Sequence, residues 1–345
     1  MEYRRFESLK AGVATVASAA QLLQLEETVH QAMVCLPTEL ALARRTKLVV
    51  ETRQCPHCSC RDIVLHGKDR NQRQRFRCRG CGRTYNIMTG TPMARARKPE
   101  TWNTYLRFMS DHVSVRAIVT AGIGVHHVTV WRWRHRFLQA TALDDTSMLC
   151  GVIEAGEVFF RWSFKGHRGW TKGTPPVDRG ARQRGSGVDP HGRSHEFVPV
   201  LTALDTTDRL YQAILPSLSA IGVALEGRIA APSVLCSNDA GGYLVAADQA
   251  GAELRVIPHP SNTQDAGRGS QIAAKAESQG RLGLGRMRAN QQLLRELVDG
   301  RCLGVATKYL KNYLGWHRSM GCAGFVGPDL LDRALALPIR RFVGT

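Results

Sequence analysis

Cys55-Pro56-His57-Cys58 and Cys78-Arg79-Gly80-Cys81 are two C-x-x-C pairs with nineteen residues between them. Four thiolates at this spacing can surround one zinc ion tetrahedrally, and so small a unit depends on its metal to fold. Cys55, Cys58, Cys78 and Cys81 are therefore the expected ligands of a structural zinc. His57 lies inside a pair and is not expected to join them; Cys60 is an extra thiol that could compete for the metal. Between the pairs Arg73, Arg75 and Arg77 alternate, which predicts one basic face of a strand, with Lys68 and Arg70 before it. Such a face suits phosphate contact better than base reading.

Downstream, residues 114–121, the turn Gly122-Ile123-Gly124 and residues 125–138 have the lengths and glycines of a helix-turn-helix. On the second helix Val130, Trp133 and Phe137 fall at helical spacing and should point inward. His126, His127, Thr129, Arg132 and Arg136 are then left to face a DNA groove or phosphates. A plain helical hairpin with a solvated basic face is the competing reading. Upstream, residues 6–48 read as two helices. Pro92 and Pro99 bracket a short basic linker, Arg95-Ala96-Arg97-Lys98.

From Gly151 the texture changes to β-branched and aromatic runs at 152–160, 197–204, 209–215 and 234–236, which predicts a sheet. Residues 161–194 carry eight Lys and Arg against Asp178 and Asp189, as an exposed basic loop or hairpin would. A glycine-rich stretch at 267–288 leads into expected helices at 289–298 and 305–316.

The 345 residues allow two or three compact units, and 43% hydrophobic residues exclude disorder throughout. The net charge is +18, and residues 51–140 supply +12 of it, 17 Lys and Arg against 5 Asp and Glu. A field of that sign concentrates polyanions, so double-stranded DNA is the expected partner. No run of about eighteen apolar residues occurs and the N-terminus lacks a signal-peptide core, so the expectation is a cytoplasmic protein with no membrane partner. Cys35, Cys150, Cys236, Cys302 and Cys322 are scattered singly and read as packing residues.

Several stretches together resemble the bacterial insertion-sequence transposases with an N-terminal zinc ribbon, a helix-turn-helix and an RNase H-like catalytic domain of the DDE type. In the first half these are Phe76-Arg77-Cys78-Arg79-Gly80-Cys81-Gly82-Arg83-Thr84-Tyr85, Thr89-Gly90-Thr91-Pro92 and Arg132-Trp133-Arg134-His135-Arg136-Phe137-Leu138. In the second half they are Ser163-Phe164-Lys165-Gly166, Gly304-Val305-Ala306-Thr307-Lys308-Tyr309-Leu310 and Tyr313-Leu314-Gly315-Trp316. The resemblance implies an α+β chain: a helical segment at 1–50, a zinc ribbon at 51–92, a helix-turn-helix at 93–145, a mixed-sheet RNase H-like domain at 150–320 and a tail at 321–345. A homo-oligomer is compatible with it.

In that family two aspartates and a third Asn or Glu hold two divalent metals for strand cleavage and joining. The resemblance puts these at Gly156, Asn238 and Arg288, so all three positions are substituted. Glu157 should point to the opposite face of its strand, and Glu154 shares the face of Gly156 but lies roughly 6 to 7 Å away. Asp239 is the best neighbouring acid, and Asn290 supplies the expected residue type if the third register slips by two. Glu296 and Asp299 read as solvated helix charges. The sequence thus favours binding of insertion-element DNA with strand transfer weakened or lost. The alternative is a working transposase that uses Asp239, displaced acids and Mg or Mn; a zinc module for protein partners explains the charge least well.

Overall fold

The computed structural model describes residues 18–141, 148–167, 196–257 and 282–321 with a few isolated positions besides, and the side chains of 25–37 are outside the description. Most of the basic stretch 161–194, residues 267–281, the tail beyond 321 and the side chains of Cys35 and Cys322 also lie outside the described residues. The chain divides into two compact units, Met1–Phe137 with Val326–Thr345, and Leu138–Phe325. Secondary structure is mixed α and β throughout. No described helix is long and apolar enough to cross a membrane.

The first unit opens with one helix, α1 (Ala19–Thr52), where the leucine spacing had suggested two. Ser18 caps it by accepting from the Gln21 N–H at 3.3 Å. His30-Gln31-Ala32-Met33-Val34-Cys35, in the middle of the stretch, include no Gly or Pro to stop a helix, and the helix continues through Pro37. The buried Arg45 donates from Nε to the Ile87 carbonyl at 3.1 Å, fastening α1 to the turns after a small antiparallel sheet. That sheet is β1 (Ile63–Lys68), β2 (Gln74–Cys78) and β3 (Thr84–Asn86), in that order. Its apolar face is Phe76 stacked on Tyr85 at 5.4 Å.

Three helices follow: α2 (Trp102–Ser110), α3 (Val115–Thr120) and α4 (His127–Thr141). Trp102, Tyr105, Leu106 and Met109 are buried at i, i+3, i+4 and i+7, and Val130, Trp133 and Phe137 are buried on α4. Tyr105 joins the two rows, stacking on Phe137 at 5.9 Å, meeting Trp133 edge-on at 5.6 Å and donating to the Val130 carbonyl at 3.1 Å. Between α3 and α4 the chain turns through Gly122 (φ 79°) and Gly124 (φ 72°), a left-handed backbone that side chains disfavour.

The second unit is built on a five-stranded sheet of β4 (Leu149–Arg161), β5 (Phe197–Asp205), β6 (Leu210–Ile214), β7 (Ile229–Ser237) and β8 (Glu253–Val256). Their order is β6-β5-β4-β7-β8. The β6-β5-β4 ladder is antiparallel, and β7 and β8 run parallel to β4. Helices cover both faces: α5 (Ile221–Leu225) and α6 (Gly241–Ala250) on one, α7 (Gly285–Arg295) and α8 (Leu310–Gly321) on the other. The period of two along β4 assigns each residue a side. Ile153 and Ala155 join the α5–α6 core, and Val158 and Phe160 join the α7–α8 core.

Candidate metal centre and nucleic-acid interface

The two cysteine pairs adopt one local geometry. Ser59 N–H donates to the Cys55 carbonyl and Gly82 N–H to the Cys78 carbonyl, each at 2.9 Å. Both closing residues are left-handed, at φ 61° and 68°. These equivalent turns face the four sulfurs toward one another. Cys55 Sγ lies 3.7 Å from Cys81 Sγ, Cys58 Sγ lies 3.6 Å from Cys78 Sγ, and all four fall within 4.8 Å. A tetrahedron with zinc–sulfur bonds of 2.3 Å has edges of about 3.8 Å, so the spacing fits such a metal. The Cys81 N–H directed at Cys78 brings that thiol down to about 7. Among the described residues this is the one group of three or more Cys, His, Asp or Glu side chains gathered closely enough to hold a metal. His57 is exposed outside the group, and Cys60 stays apart, its Sγ accepting from Asp62 N–H at 3.4 Å.

On β2 the alternation places Phe76 and Cys78 inward and Arg75 and Arg77 on the opposite side. Arg77 is exposed, whereas Arg75 donates to Thr84 Oγ1 at 3.0 Å. Arg73 falls one residue before the strand, and its N–H donates to Asp69 at 3.0 Å.

Helix α4 begins at His127, two residues later than the sequence suggested, because His126 takes the capping position. The His126 carbonyl accepts from Thr129 and Val130, and its Nδ1 accepts from Val128 N–H at 3.4 Å. His127 and Arg132 are exposed, and Thr129 is half-buried. Arg136 is tied down: its guanidinium donates to the Ala94 carbonyl at 3.0 Å, and burial lowers its pKa. The exposed face of α4 is His127, Val128, Trp131 and Arg132, at i, i+1, i+4 and i+5. Val128 and Trp131 are not among the residues that the sequence placed on this face; the same helical period that buries Val130 and Trp133 turns them outward.

The three positions that the resemblance assigns to the metal-binding side chains lie on three elements of the second unit: Gly156 in β4, Asn238 just past β7 and Arg288 in α7. Gly156 faces α7, where an added Cβ would meet Met287 Cε at 2.7 Å and its Sδ at 3.2 Å. Met287 is itself buried with Cys236 and Leu284. Glu154, on the same face, is buried and accepts from the Met287 N–H at 2.9 Å. Glu157 faces the other way and accepts from the Tyr243 hydroxyl at 2.6 Å. Burial first, then Glu157 and Asp239, raise the Tyr243 pKa, so Asp239 bears on the α6 side. Asn238 and Asp239 are exposed just past β7, and Gly241 N–H points at Asp239 Oδ1 from 3.4 Å. Arg288 is half-buried, and Asn290 has a buried Oδ1 with no hydrogen-bond partner among the described residues. The carboxylates of Glu154 and Glu157 therefore serve opposite faces of one strand.

The chain is similar to an uncharacterized protein in transposable element ISH50 from Halobacterium salinarum, with 29% identity over 177 residues. That match covers 48% of this chain, which spans 57% of the relative's length. No protein-family profile matches the chain, and no solved structure matches it significantly.

Proposed function

We propose that this chain is a DNA-binding protein of insertion-element transposase type that holds element DNA and has lost strand transfer. The similarity to a protein of a transposable element supports the lineage. The four-cysteine cluster supports a zinc ribbon, and the two glycine-joined helices α3 and α4 support a helix-turn-helix. A sheet whose central strand β4 has an antiparallel neighbour on one side and a parallel one on the other supports an RNase H-like domain.

The observation that carries the loss of chemistry is at Gly156. The space an acid would need is taken by the Met287 side chain, and the remaining two positions offer an amide and a guanidinium. Two close Mg²⁺ or Mn²⁺ ions need carboxylate charge to offset their mutual repulsion. Arg288 opposes them, and it pairs with no acid among the described residues, so it is suited to hold a DNA phosphate bidentately. In this reading Arg77, His127 and Arg132 touch the duplex from the first unit, with Arg73, Arg75, His126 and Thr129 beside them.

The test is a supercoiled donor plasmid bearing element ends, incubated with magnesium or manganese. The expected result is binding without nicking or excision. Cleavage by the natural chain that disappears in Asp239→Ala would overturn it in favour of an active enzyme working through Asp239 and displaced acids.

A further inference from the structure

Two stretches that the proposed function leaves idle, Ser163-Phe164-Lys165-Gly166 and the run from Gly304 to Leu310, meet in the second unit. Ser163 N–H donates to Thr307 Oγ1 at 2.8 Å, and Thr307 N–H donates back to the Ser163 carbonyl at 2.9 Å. Lys165 Nζ donates to the carbonyls of Leu303 and Gly304 at 2.5 and 2.7 Å. This clasp joins segments about 140 residues apart and leaves a cleft of about 240 Å³ beside it. The cleft lies past the end of β4, roughly 17 Å along the strand from Gly156.

Its walls combine two kinds of group. Trp162 is 42% exposed, an unusual state for so large an apolar surface, and its ring lies 6.0 Å from that of Phe164. Around these rings stand Lys165, His167 and Lys308, and no carboxylate is among the lining side chains of the described residues. Two of the three Lys165 ammonium donors are used in the clasp, which fixes its charge at the rim. His167 Nδ1 accepts from Gly169 N–H at 3.0 Å, so Nε2 carries the proton and is left as a donor.

We propose that this cleft binds an unpaired nucleotide of DNA, its base against Trp162 and its phosphate toward Lys308 and His167. Base–aromatic stacking beside fixed cations is how single strands are held without sequence readout, because every base has a π face. A base inside a duplex cannot reach such a cleft; an overhang or extruded base can. The inference rests on the DNA-binding reading above and adds to it a site for strand ends or distorted junctions.

The experiment uses the full chain and a labelled duplex with a single-stranded thymidine overhang, compared with the same duplex abasic along the overhang and with the blunt duplex. Removing the bases should weaken binding roughly 5- to 100-fold, as expected for loss of one stacked base. Trp162→Ala should abolish that difference while leaving blunt-duplex affinity unchanged, and Trp162→Phe should restore it. Lys308→Ala should weaken both overhang substrates alike. Equal affinity of the natural chain for intact and abasic overhangs, or an unchanged difference in Trp162→Ala, overturns the inference and leaves the duplex-binding reading standing. Failure of the natural chain to bind any of the three DNAs overturns both.

Discussion

The two units each carry positions that the sequence marked for metals, and the structure treats the two sets differently. Four cysteines in the first unit keep their spacing, their paired turns and sulfur distances of 3.6 and 3.7 Å. In the second unit, the three positions that the transposase resemblance assigns to metal-binding side chains hold Gly156, Asn238 and Arg288, and the Met287 side chain packs against Gly156. The difference follows from what each site does for the fold. A small three-stranded sheet with one stacked ring pair has little core besides the four cysteines and a metal they could hold. The five-stranded sheet has apolar clusters on both faces to hold it.

The largest effect should therefore come from the cysteines. We expect about one zinc per chain, bound at neutral pH with an apparent free energy of about 10 to 16 kcal/mol that counts toward folding. Cys78→Ser should lose the metal, the β1–β3 signals and duplex binding together. Because protons compete with zinc for all four thiolates, retention should also fall on acidification. Metal analysis after gel filtration reads both; full zinc content in Cys78→Ser would remove the comparison's first half.

At Gly156 the expected effect is smaller. Gly156→Asp alone should cost about 1 to 3 kcal/mol, because the new side chain must displace the buried Met287 methyl. Adding Met287→Ala should return part of that cost. With Asn238→Asp and Arg288→Asn as well, the chain should acquire manganese binding detectable by calorimetry. Manganese bound equally well by the natural chain beside Asn238 would sink the proposal that this site now holds DNA.

Periodicity made some of this legible and distance in sequence hid the rest. The spacing of Val130, Trp133 and Phe137 marks the buried face of α4 from eight residues of local sequence, and the C-x-x-C pairs announce their own turns. β4 and β5 are apolar runs long enough to read. By contrast β8 is Glu253-Leu254-Arg255-Val256, too short and too charged to signal a strand, and it exists because β7 offers it an edge. That Gly156 offers no carboxylate is visible in the sequence, but its packing against Met287, 131 positions away, is a matter of tertiary structure. Arg136 likewise reads as a free cation until the Ala94 carbonyl, 42 residues upstream, is placed against it.

That last contrast separates contact with DNA from support of the fold. Arg77→Ala and Arg132→Ala, both at exposed positions, should each weaken duplex binding and reduce the slope of log affinity against log salt by about 1. Arg136→Ala should leave the slope nearly unchanged and lower stability by about 1 to 3 kcal/mol, the range for a hydrogen bond from a charged donor. A full unit of slope lost in Arg136→Ala would mean that the guanidinium leaves Ala94 for phosphate.

The smallest effect concerns Asp205, at the β5–β6 turn, which shows that a buried carboxylate in this unit can be wholly committed to the fold. Burial acts to raise its pKa, but Thr207 donates from both its hydroxyl and its N–H, Arg209 N–H joins at 3.0 Å and Cys150 N–H at 3.1 Å. These donors win, and the pKa is lowered. The sign of the linkage follows: the folded state prefers the ionised form, so its contribution is complete above the unfolded value of about 4 and fades as pH falls through and below it. In Asp205→Asn one amide hydrogen must face the Cys150 N–H, donor against donor, and the charge is gone. We expect the variant to be about 1 to 2 kcal/mol less stable between pH 5 and 8, with the gap to the natural chain closing below about pH 4. Urea midpoints across that range measure it, and a gap that persists at pH 3 would mean that shape rather than charge holds the turn.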